Sequence, residues 1–458
     1  MGSKGSVVGV LSAGEDLPLG ERIRRILRLA LPIIAAMASQ NIVNLVDTAM
    51  VGQLGSAALG AVGMASMVNW LAASFFNGLG AGVQVIVARR MGEGDERGAT
   101  KALHGALVLV VLVVLPYSLL LATRGTGIFS LLSSDPKVVE QGVPYLQIRL
   151  YAAAFVVANF SFRGYWNGTG RPGVYLRTIL VIHISNIVLN YLLIYGKGGF
   201  PRLGTTGAGI ATAVSAGLGT LIHVSLAWRH ARAAGFLRRS GWDGGILRNV
   251  LRLSAPTGVQ MVFLSAGFVA FYRIAELLGT RELAVTNVLI NLSMVCVLPA
   301  MGFGLAATTL VGQALGAGNP QAASRWGWST AGIASAAMLM MGLTLAAFPQ
   351  LWLGLLMNDP EAEALGVAPL VLLGSMQVVD GVGNVLSQTL IGAGAVRAVM
   401  GASVLLQWGV FLPLAYVGGV HLGGGLLALW GAMAIYRVLF AGVMAFVFRR
   451  GRWKAIKV

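Results

Sequence analysis

Cysteine occurs once in the 458 residues, at Cys296, so an intramolecular disulfide and a multi-cysteine metal site are both excluded. Charge is scarce: Asp, Glu, Lys and Arg make up 11% of the chain, against about 25% in soluble domains. Acids are scarcest, sixteen in all. There is no Walker phosphate loop, which removes ATP as an energy source within this chain. The "GLGAGV" at 78–83 follows no strand pattern, and glycines in an apolar run serve close helix packing instead. No paired carboxylates, Ser/His set or metal-spaced His cluster supports an enzyme, and no cofactor motif occurs. The N-terminus does not read as a signal peptide, because "VVGVL" (7–11) is too short and Glu15 and Asp16 follow it. The opening "MGSKGS" matches the myristoylation pattern of Gly2 with Ser6, a match that a Gly/Ser-rich tail also gives by chance.

What is abundant is apolar sequence: 56% of residues are hydrophobic and mean hydropathy is +0.78. Runs such as "ALVLVVLVVLPYSLLLA" (106–122) and "GIASAAMLMMGLTLAAF" (332–348) come close to the roughly 20 apolar residues that span a bilayer. Twelve transmembrane helices are predicted, over 29–53, 62–88, 102–123, 142–162, 175–196, 207–228, 253–278, 284–312, 327–348, 366–391, 398–418 and 426–447. The net charge of +17 is not a nucleic-acid signature. Its basic residues cluster between alternate spans, as in Arg22/Arg24/Arg25/Arg28, Arg89/Arg90/Arg97/Lys101 and Arg449/Arg450/Arg452/Lys454/Lys457. That alternation is the positive-inside rule, and it puts both termini in the cytoplasm.

The second half of the chain repeats the first at a constant offset of 224 residues, so that Pro32 pairs with Pro256. "LRLALP" (27–32) matches "LRLSAP" (251–256), "GLGAGVQVIVARRMGEGDERGA" (78–99) matches "GFGLAATTLVGQALGAGNPQAA" (302–323), and "LLSSDPKVVEQGV" (131–143) matches "LLMNDPEAEALGV" (355–367). Six spans return the chain to its starting side. The fold predicted is therefore an all-α integral membrane protein of two parallel six-helix bundles with a pseudo-two-fold axis. The expected domains are a cytoplasmic tail (1–21), an N-terminal lobe (22–228), a charged linker (229–252), a C-terminal lobe (253–448) and a basic tail (449–458). Such a frame suits alternating access, with a substrate cavity expected between the bundles.

Ionisable groups inside a membrane are costly and point to function. Three acids fall within the predicted spans: Asp47, Glu276 and Asp380. Gln40, Asn44 and Asp47 follow i, i+4, i+7, one face of the first helix. A carboxylate removed from water holds its proton more tightly. Asp47 would then take up a proton or bind a hard cation such as sodium; the bland alternative is a structural hydrogen-bond anchor. On the fifth span His183, Asn186 and Asn190 share a face. Two amide carbonyls with a carboxylate suit sodium, and Thr212 on the sixth span adds a hydroxyl; interhelical packing by Asn explains the amides equally well. His183 reads as a hydrogen-bonded packing residue. On the tenth span Gln377, Asp380 and Asn384 form another stripe, a candidate substrate or second-lobe cation site together with Gln40 and Asn44. The duplication explains neither acid, since Asp47 pairs with Phe271 and Asp380 with Val156. Arg273 is expected to pair with Glu276 at i, i+3, with neutralisation of Asp380 as the alternative.

The segments "VDTAMVGQLGSAALGAVG" (46–63), "NGTGRPG" (167–173), "NIVLNYLLIYG" (186–196), "GAGIATAVS" (207–215) and "LVGQALGAGNPQAA" (310–323) together resemble the multidrug and toxic compound extrusion family over almost the whole chain. The resemblance implies export of organic cations or amphipathic compounds in exchange for sodium or protons. It also implies that Asp47 is the family's first-helix acid, that Asn186, Asn190 and Thr212 belong to its first-lobe cation site, and that Asp380 is the tenth-helix acid of the bacterial multidrug branch. Two positions depart from it. Leu264 stands where that branch has a glutamate, and Asn190 stands where another branch has Asp.

The function expected is a secondary active antiporter of a bacterial inner membrane. It would exchange small amphipathic or cationic substrates for Na+ or H+ and work as a monomer, with no cofactor beyond the coupling ion. Asp47, Asn186 and Asn190 would be the metal ligands if sodium is used. A flippase for a lipid-linked or other amphipathic substrate is the alternative. It needs a cationic cleft, which only Arg149, Arg273 and Arg437 within or beside the spans would supply.

Overall fold

Inside a bilayer no water satisfies the backbone, so long apolar runs must close their hydrogen bonds within helices. The computed structural model, which describes residues 17–237 and 244–458, has that character. The Gly2/Ser6 pattern, residues 1–16 of the expected tail and residues 238–243 of the expected linker lie outside the described residues. Among the described residues eleven helices are long and apolar enough to cross a membrane, and one bent pair passes the same test as a unit. In chain order they are α1 (Leu19–Gly52), α2 (Ser56–Gly92), α3 (Glu96–Thr123), α4 (Pro136–Tyr151 and Ala153–Gly168, bent by 45°), α5 (Pro172–Tyr195), α6 (Gly204–Ala231), α7 (Gly244–Glu276), α8 (Thr280–Gly316), α9 (Pro320–Ala347), α10 (Pro360–Gly392), α11 (Val396–His421) and α12 (Gly425–Arg450). No strand occurs among the described residues. The predicted spans fall one to a helix. The helices extend beyond most of them, as when α1 starts at Leu19 and carries Arg22 to Arg28 as helical turns.

The repeat is written into the turns. Asp95 caps the start of α3 by accepting from the Gly98 amide at 2.8 Å, and Asn319 caps α9 by accepting from Ala322 at 2.8 Å. Each follows a glycine in the left-handed region, Gly94 at φ 76° and Gly318 at φ 75°, which a residue with a Cβ adopts only at a cost. Asp135 and Asp359 cap α4 and α10 just ahead of Pro136 and Pro360, where a missing N–H costs nothing. Two π-helical turns, Val110–Val114 and Gln407–Phe411, precede Pro116 and Pro413. A proline ring clashes with the carbonyl four residues back, which lies inside each π turn.

The chain divides into two compact units. The N-terminal unit is Ala35–Gly258; the C-terminal unit takes the chain up to Ile34 together with Val259–Val458. Both boundaries fall within helices, shortly after Pro32 in α1 and Pro256 in α7. The units therefore differ from the lobes expected at 22–228 and 253–448. In the N-terminal unit Val51, Ala58, Ala61, Phe129, Tyr145 and Leu146 are part of a buried core. In the C-terminal unit Phe271, Leu289, Met338, Leu370, Phe411 and Trp430 belong to another.

Glycines let helices within a unit approach to backbone contact. A Cβ on Gly80 of α2 would lie 2.6 Å from the Phe160 carbonyl oxygen on α4, and one on Gly164 of α4 would collide with the Gly80 carbonyl. A Cβ on Gly78 would lie 2.5 Å from the Ser254 carbonyl oxygen of α7. The "GLGAGV" glycines are thus packing residues. Overpacking such contacts costs about 1–3 kcal/mol or more. Gly164→Leu should therefore lower the yield of monodisperse protein in detergent, while Gly60→Leu, which meets nothing within 4 Å, should leave it near wild type; size-exclusion profiles of the two variants check this.

Candidate functional site

The polar stripes of α1 and α5 face each other in the N-terminal unit. The helices run parallel and are tied at two rungs with the same separation along the chain. His183 Nε2 lies 3.1 Å from Gln40 Oε1, and Asn190 Nδ2 donates to Asp47 Oδ1 at 2.6 Å. The sequence places these rungs seven residues apart on each helix, two turns, so both fall on the contact face. Gln40 Nε2 donates to Asn44 Oδ1 at 3.1 Å. Gln40 therefore presents its oxygen to His183, and His183 donates from Nε2; its buried Nδ1 has no hydrogen-bond partner. Tyr195, which the stripe spacing did not reveal, adds a third tie by donating to the Met50 carbonyl at 2.8 Å. Its only signal was a hydroxyl five residues beyond Asn190.

Hydrogen bonds run out from the Asn190 amide in two directions, to Asp47 on one side and through Asn186 and Thr212 to α6 on the other. Thr212 donates to the Ala208 carbonyl at 3.0 Å, Asn186 donates to Thr212 Oγ1 at 3.2 Å, and Asn190 donates to Asn186 Oδ1 at 3.3 Å as well as to Asp47. Asn186 and Asn190 are buried, whereas Asp47 and Thr212 are partly exposed. The Asn190 amide uses its nitrogen on both neighbours, and its Oδ1 is left buried with no partner. Among the described residues no Lys, Arg or His lies within ion-pair distance of Asp47. The site thus collects one carboxylate, amide oxygens and a hydroxyl, a donor set for a hard cation or a proton. No group of three His, Cys, Asp or Glu side chains with metal-holding geometry occurs among the described residues.

The residues grouped with Asp380 are distributed differently. Gln40 and Asn44 belong to the N-terminal unit, and Asp380, Gln377 and Asn384 to the C-terminal unit. Gln377 donates to the Leu373 carbonyl at 3.1 Å and Asn384 to the Asp380 carbonyl at 3.0 Å, so both amides bond along α10 itself instead of converging on the carboxylate. Asp380 is ion-paired with Arg437 of α12, and the other guanidinium nitrogen of Arg437 donates to Ser293 Oγ of α8 at 2.7 Å. Sequence reasoning noted Arg437 but did not pair it with Asp380. The signal was there: a lone arginine inside an apolar span needs a partner. Arg273 pairs with Glu276 at 2.5 Å on the exposed end of α7, so it is not the partner of Asp380.

The MatE family model matches this chain twice, at residues 32–192 and 256–417, and the two starts have the spacing of the internal repeat. The chain is 29% identical to a probable multidrug resistance protein NorM of Bradyrhizobium diazoefficiens, with 94% of each protein covered. It is 28% identical to multidrug resistance protein NorM of Burkholderia vietnamiensis, with 92% of each covered. A crystal structure of MATE in complex with MaL6 matches with a TM-score of 0.86 at 23% identity, over 98% of both chains. At that identity the likeness shows a shared fold.

The rung between α1 and α5 carries a measurable share of stability. Interhelical hydrogen bonds in membranes average about 0.6 kcal/mol and reach about 1.7 kcal/mol. Gln40→Leu is expected to destabilise by an amount in that range, read as a lowered midpoint of thermal unfolding in detergent. A larger loss would mean that His183 depends on Gln40 for more than one hydrogen bond.

Proposed function

The chain belongs to the MatE family, and from that premise we propose that it is a secondary active antiporter that exports organic cations or amphipathic drugs in exchange for Na+ or H+ by alternating access. The supporting observation is the Asp47 site: a carboxylate on a membrane-spanning helix that has no ion-pair partner among the described residues, with Arg149 acting on its charge only from farther off, and that stands beside a buried, unpartnered amide oxygen on Asn190. A negative charge left alone there is costly. A cation entering the site relieves that cost. As sodium it would be held by Asp47 with the oxygens of Asn190, Asn186 and Thr212. As a proton it would turn Asp47 from an acceptor into a donor and alter the Asn190 bond.

Either form of loading changes the charge on the α1 face that meets α5. A ligand shifts a conformational equilibrium only by its difference in affinity for the two states. The loaded and empty sites differ in net charge, so they favour different packings of α1. The membrane is proposed to be the inner membrane of a bacterium, with both termini cytoplasmic. The flippase alternative is left with Arg149, because Arg273 and Arg437 are paired with Glu276 and Asp380.

The test is efflux of a fluorescent organic cation from vesicles holding the purified protein, with a sodium gradient and a pH gradient imposed in separate runs. One of the two gradients is expected to drive efflux, and Asp47→Asn, inserted normally, is expected to abolish the driven component. Drive by sodium assigns the site to a metal ion, and drive by pH to a titrating carboxylate. Retained driven transport in Asp47→Asn would sink the site assignment.

A further inference from the structure

The internal repeat makes it possible to ask what the C-terminal unit holds where the N-terminal unit holds Asp47. Helices α7 and α11 are the repeat partners of α1 and α5. The first rung is kept in altered form: at the positions of Gln40 and His183, Gln407 Nε2 donates to the Leu264 carbonyl at 3.1 Å. The second rung is gone. Phe271 takes the position of Asp47 and is fully buried, with its ring 5.0 Å from Phe411 and 5.9 Å from Trp430. Aromatic rings fill that place, and no carboxylate or amide faces it from α11.

The C-terminal unit has instead its own intramembrane acid, and that acid came with a cation. Asp380 and Arg437 are nearly buried, with side-chain exposures of 9% and 11%. Arg437 bridges three helices, binding Asp380 of α10 and Ser293 of α8 from α12. At the equivalent positions the N-terminal half has Val156 and Ala213, so both charges are present in one half and both are absent from the other. Around the pair, the amide nitrogens of Gln377 and Asn384 donate to α10 carbonyls, and Gln377 Oε1 is buried with no partner, so what distinguishes this acid from Asp47 is the guanidinium and not the amides. Cys296 of α8 and Tyr436 of α12 are the other ionisable groups in its field. Removing one member of such a pair leaves a buried, uncompensated charge.

We propose that Arg437 acts as a tethered cation that keeps Asp380 compensated throughout the cycle, so the C-terminal unit loads no coupling ion and each cycle carries a single ion, at Asp47. The proposal rests on the antiport reading given above. It makes Arg437 a residue that sets coupling stoichiometry. A guanidinium is always charged and cannot leave, whereas sodium or a proton can. Asp380 therefore never presents the empty, charged state that an arriving ion would relieve.

The measurement is the ion-to-substrate ratio of the full chain in vesicles, with the membrane potential clamped at zero by potassium and valinomycin. At balance, a single ion per substrate means that about a tenfold ion gradient holds about a tenfold substrate gradient; a second ion raises this to about a hundredfold. The tenfold result is expected for the wild type, and the hundredfold result would overturn the proposal without any variant. The double variant Asp380→Asn, Arg437→Gln is expected to keep the wild-type ratio; a changed ratio would make Asp380 an ion carrier after all. Arg437→Gln alone frees Asp380 and is expected to move the ratio towards the hundredfold value. An unchanged ratio in inserted Arg437→Gln would show that Arg437 does not set the stoichiometry. Failure of the Asp47 assignment has a separate signature: Asp47→Asn would still couple with the wild-type ratio.

Discussion

A charged or amide side chain within a bilayer has no water to turn to, and each such group in this protein is placed by the partner it must find. Asn186 and Asn190 point at α1 and α6 because their N–H groups need acceptors there. Gln377 and Asn384 fold back onto α10 for the same reason. Arg437 reaches across from α12 because Asp380 and Ser293 offer it oxygens. Asp47 is the charged case the rule does not close: it accepts one amide bond and, among the described residues, has no ion-pair partner, with Arg149 acting on its charge only from farther off. Asp380 is matched by Arg437 and Asp47 is not, and that difference is what the proposed loading of Asp47 rests on.

Duplication gave the chain two versions of the same scaffold, and the two have diverged by exchanging chemistry for packing. The capped turns at Asp95 and Asn319 share the same cap bond, 2.8 Å, and the same left-handed glycine ahead of it. In the contact between the first and fifth helix of each half one polar rung persists in altered form, through Gln407 and the Leu264 carbonyl, while the other has given way to aromatic packing around Phe271. Backbone turns tolerate little variation, because a cap and a positive φ admit few residues. A helix face tolerates more, provided that it stays filled and its polar groups stay satisfied. The asymmetry between Asp47 and Phe271 is the functional outcome of that freedom.

Much of this was legible in the sequence. Apolar runs and alternating basic clusters gave twelve spans, and the constant offset gave the repeat. The spacing of Gln40, Asn44 and Asp47, and of His183, Asn186 and Asn190, placed each set on one face, and the two faces do meet. The stripe logic failed on α10, where Gln377, Asp380 and Asn384 share a face without acting together. Periodicity reports which residues are neighbours on a helix, but an amide can bond its own helix as readily as a neighbouring one. The pairing of Arg437 with Asp380 and the tie made by Tyr195 were missed because the partners lie on other helices, at distances that spacing along one helix does not encode. The unit boundaries inside α1 and α7 were invisible for a related reason, since a proline marks where a helix can bend without saying which neighbours each portion will choose.

The two ties between α1 and α5 have a geometric consequence. Because they sit the same distance apart on both helices, they work like two pins through a pair of parallel rods. A slide of one helix by a single residue, about 1.5 Å, or a rotation by the corresponding 100°, pulls both pins together. A shift of either helix therefore changes the partners of Gln40 and Asp47 together, two turns apart, and such a shift moves the pair of helices between discrete settings in place of a continuum of positions.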